Sequence, residues 1–241
     1  MQLSDKAKEN REKILAYYES DLNRTDPEFM EIINNFIFDE IQMNTRLPER
    51  SQMLITLATL ITNQSLKQYE IAVEAAINLG LSAVEIKEVL YQSTPYVGFA
   101  KTYDFLDSTN QIFDEKGIDV PIAGQSTTNR ENRIERGYQI QSQYFGKEMI
   151  DEMNDSTPKD QKHFNEFLKG YCFGDFYTRT GLNDSDRELI TFSIIASLGG
   201  CENQLRGHTM GNLSVGNDKD MLIGALTVLL PFIGFPRTLN A

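Results

Sequence analysis

The segment Leu54 to Thr102 occurs a second time, in altered form, as Leu189 to Thr238. Leu54-Ile55-Thr56 returns as Leu189-Ile190-Thr191. Pro95-Tyr96-Val97-Gly98-Phe99-Ala100-Lys101-Thr102 returns as Pro231-Phe232-Ile233-Gly234-Phe235-Pro236-Arg237-Thr238. The two blocks are in register but for one inserted residue between the anchors. A period this long is not that of a solenoid, so the unit is a duplicated domain. The duplication is also an internal control. Features that both copies keep read as scaffold, and chemistry carried by one copy alone marks a candidate site.

Apolar residues recur at three- and four-residue spacing throughout, while alternating β-branched runs are scarce, so the expected fold is an all-α, two-copy helical bundle. Asp5 to Asp21 reads as an amphipathic helix with Ile14, Leu15 and Tyr18 on one stripe. Asp26-Pro27 reads as an N-cap followed by proline at the first helical position, opening a helix to about Met43. Helices are expected over 48–61 and 66–79, the second stopped by Gly80. Ser82 and Glu85 have the spacing of a capping box for Ala83 to Tyr91. Pro95 and Gly98 mark a break before a helix from Lys101 to Lys116. Gly117 to Asn129, with Pro121, Gly124 and a Gln-Ser-Thr-Thr run, is the natural linker. Copy one is placed at 1–120 and copy two at 130–241, with helices near 130–145, 158–177, 185–198, 202–213 and 218–230. The sequence stops at Ala241, so copy two is expected to lack the helix that follows Thr102 in copy one, leaving a face for a neighbouring subunit.

The chain has 241 residues, 40% hydrophobic and 24% charged, with a formal net charge of −12. That charge argues against a nucleic-acid-binding surface, which needs clustered positive groups. It leaves a small acidic metabolite open as a partner, because a few arginines can dominate a pocket locally. Cys172 and Cys201 do not make a disulfide scaffold, so the expected compartment is the reducing cytoplasm. No signal-peptide core follows Met1, and no apolar run suggests a membrane span.

Registered so that Leu54 matches Leu189, the copies diverge in chemistry. Arg187 stands opposite Gln52, Glu188 opposite Met53, Cys201 opposite Leu66, Gln204 opposite Tyr69 and His208 opposite Val73. Cys201, Gln204 and His208 are spaced to share one helix face, with Arg206 on another side. Glu188 near the start of the preceding helix would approach that face in an antiparallel hairpin. Each residue also has a plainer reading. Glu188 could complement a helix dipole, Asp184, Ser185 or Asp186 could cap a helix, Cys201 could be a small core hydrophobe, and His163 lies in a polar, surface-like segment. One histidine with one carboxylate falls short of a catalytic zinc site, and Gly199-Gly200 is a helix break without a phosphate-loop fingerprint.

Phe176 to Leu182 followed by Asp186-Arg187-Glu188-Leu189-Ile190-Thr191 resembles the carboxymuconolactone decarboxylase family. Gln204 to His208 with Asn212 and Gly216 resembles its second block, and Leu229 to Pro236 its closing block. The resemblance implies a helical fold of the alkylhydroperoxidase D-like type and a homo-oligomer, with a trimer favoured for a two-copy chain and a hexamer as the alternative. It leaves two chemistries. The thiol peroxidases of the superfamily use Cys-x-x-Cys-x-x-x-His, which here reads Cys201 to His208 with Gln204 in place of the second cysteine. That exchange removes the internal dithiol.

The decarboxylase branch implies loss of carbon dioxide from a lactone carboxylate without metal or organic cofactor. Such chemistry needs a cation for carboxylate, a donor for the developing oxyanion and an acid to protonate carbon. The resemblance then casts His208 as proton donor and Glu188 as its partner. Gln204 would be the oxyanion donor, with Arg187 or Arg206 binding carboxylate. Two other readings stand beside it. One is a thiol-dependent peroxidase using Cys201, alone or with Cys172, and the other is a non-catalytic ligand-binding member of the fold. Copy one has lost the histidine and the Arg-Glu pair, so one site per chain is expected.

Overall fold

The computed structural model describes residues 2–15 and 20–241. Among these the regular structure is helical, with no strand. Copy one comprises α1 (Asp5–Leu15), the single turn α2 (Leu22–Thr25), and α3 (Pro27–Asn35), which runs through a π-helical segment Phe36–Glu40 into α4 (Ile41–Asn44). Then come α5 (Glu49–Thr62), α6 (Leu66–Asn78), α7 (Ala83–Val97) and α8 (Phe99–Glu115). Copy two comprises α9 (Arg133–Phe145), α10 (Lys147–Ser156) and α11 (Lys162–Phe167), which continues as a π-helical segment Leu168–Tyr177. It closes with α12 (Asp184–Leu198), α13 (Glu202–Ser214) and α14 (Lys219–Asn240).

Several local expectations hold. The Ser82 hydroxyl accepts from the Glu85 amide at 3.2 Å while the Glu85 carboxylate accepts from the Ser82 amide at 2.8 Å, a reciprocal cap. Gly80 turns the chain with φ +85°. Others shift. Asp26 makes no side-chain cap, although Pro27 does open α3. The cap of α12 is Asn183, whose side chain accepts from the Asp186 amide at 2.8 Å; Asp186 is drawn instead into a two-pronged pair with Arg50. The Pro-x-x-Gly-Phe blocks break at their glycine, later than Pro95 suggests. Proline sits inside the last turn of α7, and the chain turns at Gly98, φ +90°, as it does at Gly234, φ +78°, within α14. Beyond Gly234 the chain continues helically to Asn240, so copy two keeps a stub of the helix expected to be missing. Helix α10 has no counterpart among the expected helices, and Tyr18 lies outside the described residues.

The copies share their interior. Ile190 and Ile194 of α12 are buried in the cluster formed by copy one, while Ile55 of α5 is buried in the cluster of copy two. Each such side chain contributes roughly 1.5–3 kcal/mol of apolar burial to the other copy. Polar groups lock the same seam. Glu88 of α7, fully buried, accepts from Arg187 Nη2 at 3.0 Å and from Arg179 Nε at 2.9 Å. Arg50 of α5 grips both Asp186 oxygens at 2.8 Å.

Candidate active site

Helices α12 and α13 run as the expected hairpin and bring Glu188 against His208. The imidazole Nδ1 lies 3.0 Å from Glu188 Oε2 and 3.2 Å from Oε1, with the carboxylate fully buried and His208 9% exposed. The approach depends on Gly211, because a Cβ there would sit 2.4 Å from Glu188 Oε2. Asn212 fixes the crossing by donating to the backbone carbonyls of Glu188 (3.0 Å) and His208 (2.7 Å). Asn217 in turn donates to Asn212 Oδ1 at 2.8 Å. The histidine ring packs edge-on against Tyr96 and Phe145.

A chain of hydroxyls ends on the same carboxylate. Tyr177 Oη donates to Glu188 Oε1 at 3.0 Å and also meets Thr191 Oγ1 at 2.8 Å and Tyr96 Oη at 2.7 Å. A tyrosine has one hydroxyl proton. Once it is given to Glu188, Tyr96 and Thr191 must donate toward Tyr177. Behind them, the Cys172 thiol donates to Tyr96 Oη at 3.8 Å and Gln92 Nε2 donates to Thr191 at 3.1 Å. The dipoles therefore all point at Glu188, which makes burial of a carboxylate tolerable. Tyr177 and Cys172 lie on the ten-residue π-helical segment Leu168–Tyr177. Segments of this kind recur at functional sites, and here the altered turn aims several side chains inward. Tyr96 comes from copy one, so the site spans the seam.

Of the other expected site residues, Gln204 keeps the helix face of His208 and the rest lie elsewhere. Cys201 precedes α13 as its N-cap, with φ −124° and ψ 40°, because Gly199 and Gly200, both at positive φ, reverse the chain and delay the helix to Glu202. It therefore leaves the helix face shared by Gln204 and His208. Cys201 instead lines a separate hollow of about 320 Å³ with Leu205, Arg237 and the chain end. Gln204 and Arg206 are exposed on α13. Arg187 is fully buried and held by Glu88, by Gln92 Oε1 at 3.0 Å and by the carbonyls of Arg179 and Thr180, a clamp between copies in which Nε alone is left without a partner. His163 is exposed. Among the described residues no three His, Cys, Asp or Glu side chains group as a metal site. Sequence reasoning missed Tyr96, Tyr177 and Thr191 as parts of the site. Tyr96 was within reach, since the matching residue is Phe232 and the hydroxyl belongs to one copy alone.

Both thiols are free, and they sit in different surroundings. Burial pushes the Cys172 thiol up to about 12, and the same desolvation holds the Tyr96 and Tyr177 hydroxyls well above the ordinary tyrosine range. These groups release protons in the unfolded chain at lower pH than in the folded one. Their contribution to stability is thus fully present below the unfolded thiol value near 8.5, declines as pH rises toward 12, and is joined from about pH 10 by the tyrosines. Urea midpoints at about pH 7 and about pH 10 check this. Cys172→Ala should flatten the loss between them, and parallel losses in variant and parent would refute the assignment. In the native protein a thiol reagent should titrate Cys201 first and Cys172 only on unfolding.

Comparison with known proteins places the geometry in context. The model of the carboxymuconolactone decarboxylase family matches residues 27–110 and 162–241, once in each copy. The 4-carboxymuconolactone decarboxylase of Acinetobacter baylyi is 24% identical over 110 residues, covering 46% of this chain and 81% of that protein. A crystal structure from Burkholderia xenovorans, assigned provisionally as a gamma-carboxymuconolactone decarboxylase subunit, superposes with a TM-score of 0.60 at 16% identity, covering 95% of this chain and 91% of that one. The last likeness is one of fold.

Proposed function

We propose, from the premise that this chain belongs to the carboxymuconolactone decarboxylase family, that it is a carboxy-lyase acting on a small carboxylate or lactone. The observation that carries this reading is the buried Glu188–His208 pair, present in copy two and replaced by Met53 and Val73 in copy one. With Nδ1–H held by Glu188, Nε2 is the atom that exchanges a proton with substrate. Cleavage of the carbon–carboxylate bond expels carbon dioxide and leaves its electron pair in the conjugated lactone as a dienolate. His208, entering the step protonated on both nitrogens, then delivers its Nε2 proton to carbon and regains one from solvent, in the cofactor-independent manner the resemblance implies. Tyr177 and Thr191 are positioning residues that fix the carboxylate. Gln204, one turn before His208 on α13, is the side chain suited to the lactone oxygen.

Arg206, on another side of α13, would reach a substrate at a contact between chains. On the family resemblance we propose a homo-oligomer, a trimer with a hexamer as the alternative, which sedimentation equilibrium would contradict by returning a monomer mass. The functional test is decarboxylation of 4-carboxymuconolactone and related lactone acids, followed by carbon dioxide release. Turnover that His208→Ala abolishes would support the reading. Turnover left intact by that variant, or none with any such acid, would overturn it.

A further inference from the structure

A hollow of about 420 Å³ lies beneath α1 and α3 and above α5 and α6 of copy one, with Val228, Pro231 and Phe232 of α14 completing its wall. Its described lining includes Ile37, Phe38, Gln42, Gln52 and Met53. In the register that pairs Leu54 with Leu189, these are the counterparts of Cys172, Phe173, Tyr177, Arg187 and Glu188. In copy two those five are buried and packed together, so the hollow occupies the position that copy two fills with its site. Two structural differences open it. The first is chemical: Gln42, Gln52 and Met53 replace a tyrosine, an arginine and a glutamate, removing the groups that knit the interior.

The cover also stands farther off. In copy two Gly137 and Gly174 let α9 lie directly on the π-helical segment; a Cβ on Gly174 would meet the Arg133 carbonyl oxygen at 2.1 Å. The counterpart of Gly174 is Asp39, which accepts from the Ser4 hydroxyl at 2.6 Å. Asn10 bridges α1 to the Phe38 carbonyl oxygen, also at 2.6 Å. Side chains thus stand where copy two has backbone against backbone.

The volume falls within the range of about 300–1,000 Å³ typical of small-molecule sites, with mostly apolar walls and few polar groups. Gln42 Nε2 donates to Gln52 Oε1 at 3.0 Å and Gln52 Nε2 to the Leu47 carbonyl oxygen at 2.9 Å, so the two amides form a polar spot in an otherwise mostly apolar wall. The charged lining residues are already engaged, Glu49 by Lys13 and Arg11 by a partner of its own. Leu22 and Phe29, 44% and 58% exposed, mark where the hollow meets solvent.

We propose that copy one binds a small uncharged molecule with an aromatic or branched aliphatic body, at a site distinct from the Glu188–His208 pair. The counterpart of the acid, Met53, is an apolar wall of the hollow and that of the base, Val73, is buried in the core, so this copy holds a ligand and does not turn it over.

The test uses the full chain in its native assembly and the neutral fluorescent amine N-phenyl-1-naphthylamine. Saturable fluorescence enhancement with a single class of site is expected. Thr56→Phe, which fills the hollow, and Gln68→Trp, which crowds its exposed rim, should each weaken it roughly tenfold or more. Gln68 is exposed, so its replacement keeps the test sound if Thr56→Phe unfolds. His208→Ala should leave probe binding unchanged, which separates this site from the proposed catalytic one. Non-saturable binding by the parent chain, or an affinity that folded Thr56→Phe and Gln68→Trp both leave intact, would overturn the proposal.

Discussion

Gly137→Ala is expected to destabilise the protein by about 3 kcal/mol, the upper end of overpacking costs. Helix propensity alone gives the opposite sign, because alanine in a helix interior gains roughly 1 kcal/mol over glycine. Sterics decide the outcome. A Cβ at position 137 would lie 1.8 Å from the Lys169 carbonyl oxygen and 2.7 Å from the Gly174 nitrogen. Both obstacles are backbone atoms, so no rotamer change relieves the clash, and α9 must lift from the π-helical segment. Tyr177 rides on that segment, so its 3.0 Å bond to Glu188 should loosen as well. Urea denaturation supplies the check, as a lower midpoint at unchanged slope. Gly124→Ala is the control, since nothing stands within 4 Å of a Cβ there. Equal midpoints for the two variants would refute the close-approach argument.

Loss of turnover on disrupting the buried pair should be the largest functional effect. On the proposed mechanism His208→Ala and Glu188→Gln should each lower kcat by roughly 10²–10⁴-fold, the usual worth of a positioned acid–base group. The two need not add, because they act as one unit. His208→Ala also strands the Glu188 carboxylate in the interior. Breaking a buried pair typically costs about 3–5 kcal/mol, so its midpoint should fall as well. Tyr177→Phe separates positioning from chemistry. It removes one hydrogen bond to Glu188 and leaves His208 in place, so kcat should fall less, with a displaced pH profile. A Tyr177→Phe enzyme with the parent's kcat and pH profile would remove Tyr177 from the mechanism. Glu188→Gln with the parent's kcat would remove the carboxylate.

Much of this was legible in the sequence where physics is local. Helical periodicity, the Ser82 cap and the Gly80 stop depend on neighbours within a turn or two, and the helices followed. The hairpin pairing Glu188 with His208 was also within reach, since the two residues lie on consecutive helices. Tertiary context defeated the rest. Arg187 carries the charge of a carboxylate binder, yet nothing local announces that Glu88, 99 positions earlier, will claim it. Cys201 fits a helical spacing that two positive-φ glycines interrupt. The π-helical turns have no periodic signature of their own, so the inward aim of Cys172 and Tyr177 could not be read from spacing. Comparing the copies for lost chemistry found His208, whereas the hydroxyl distinguishing Tyr96 from Phe232 lay inside a block that looked shared.

The interlocking of the copies bears on the history of the chain. Once Ile190 and Ile194 completed the neighbour's core, and Tyr96 packed against His208 in the other half, neither half could be discarded without exposing apolar surface or stripping that packing. A gene duplication that starts as redundancy thereby becomes entrenched. On the functions proposed above, the copy without the Glu–His pair is retained through its partner and is free to drift toward holding a different molecule.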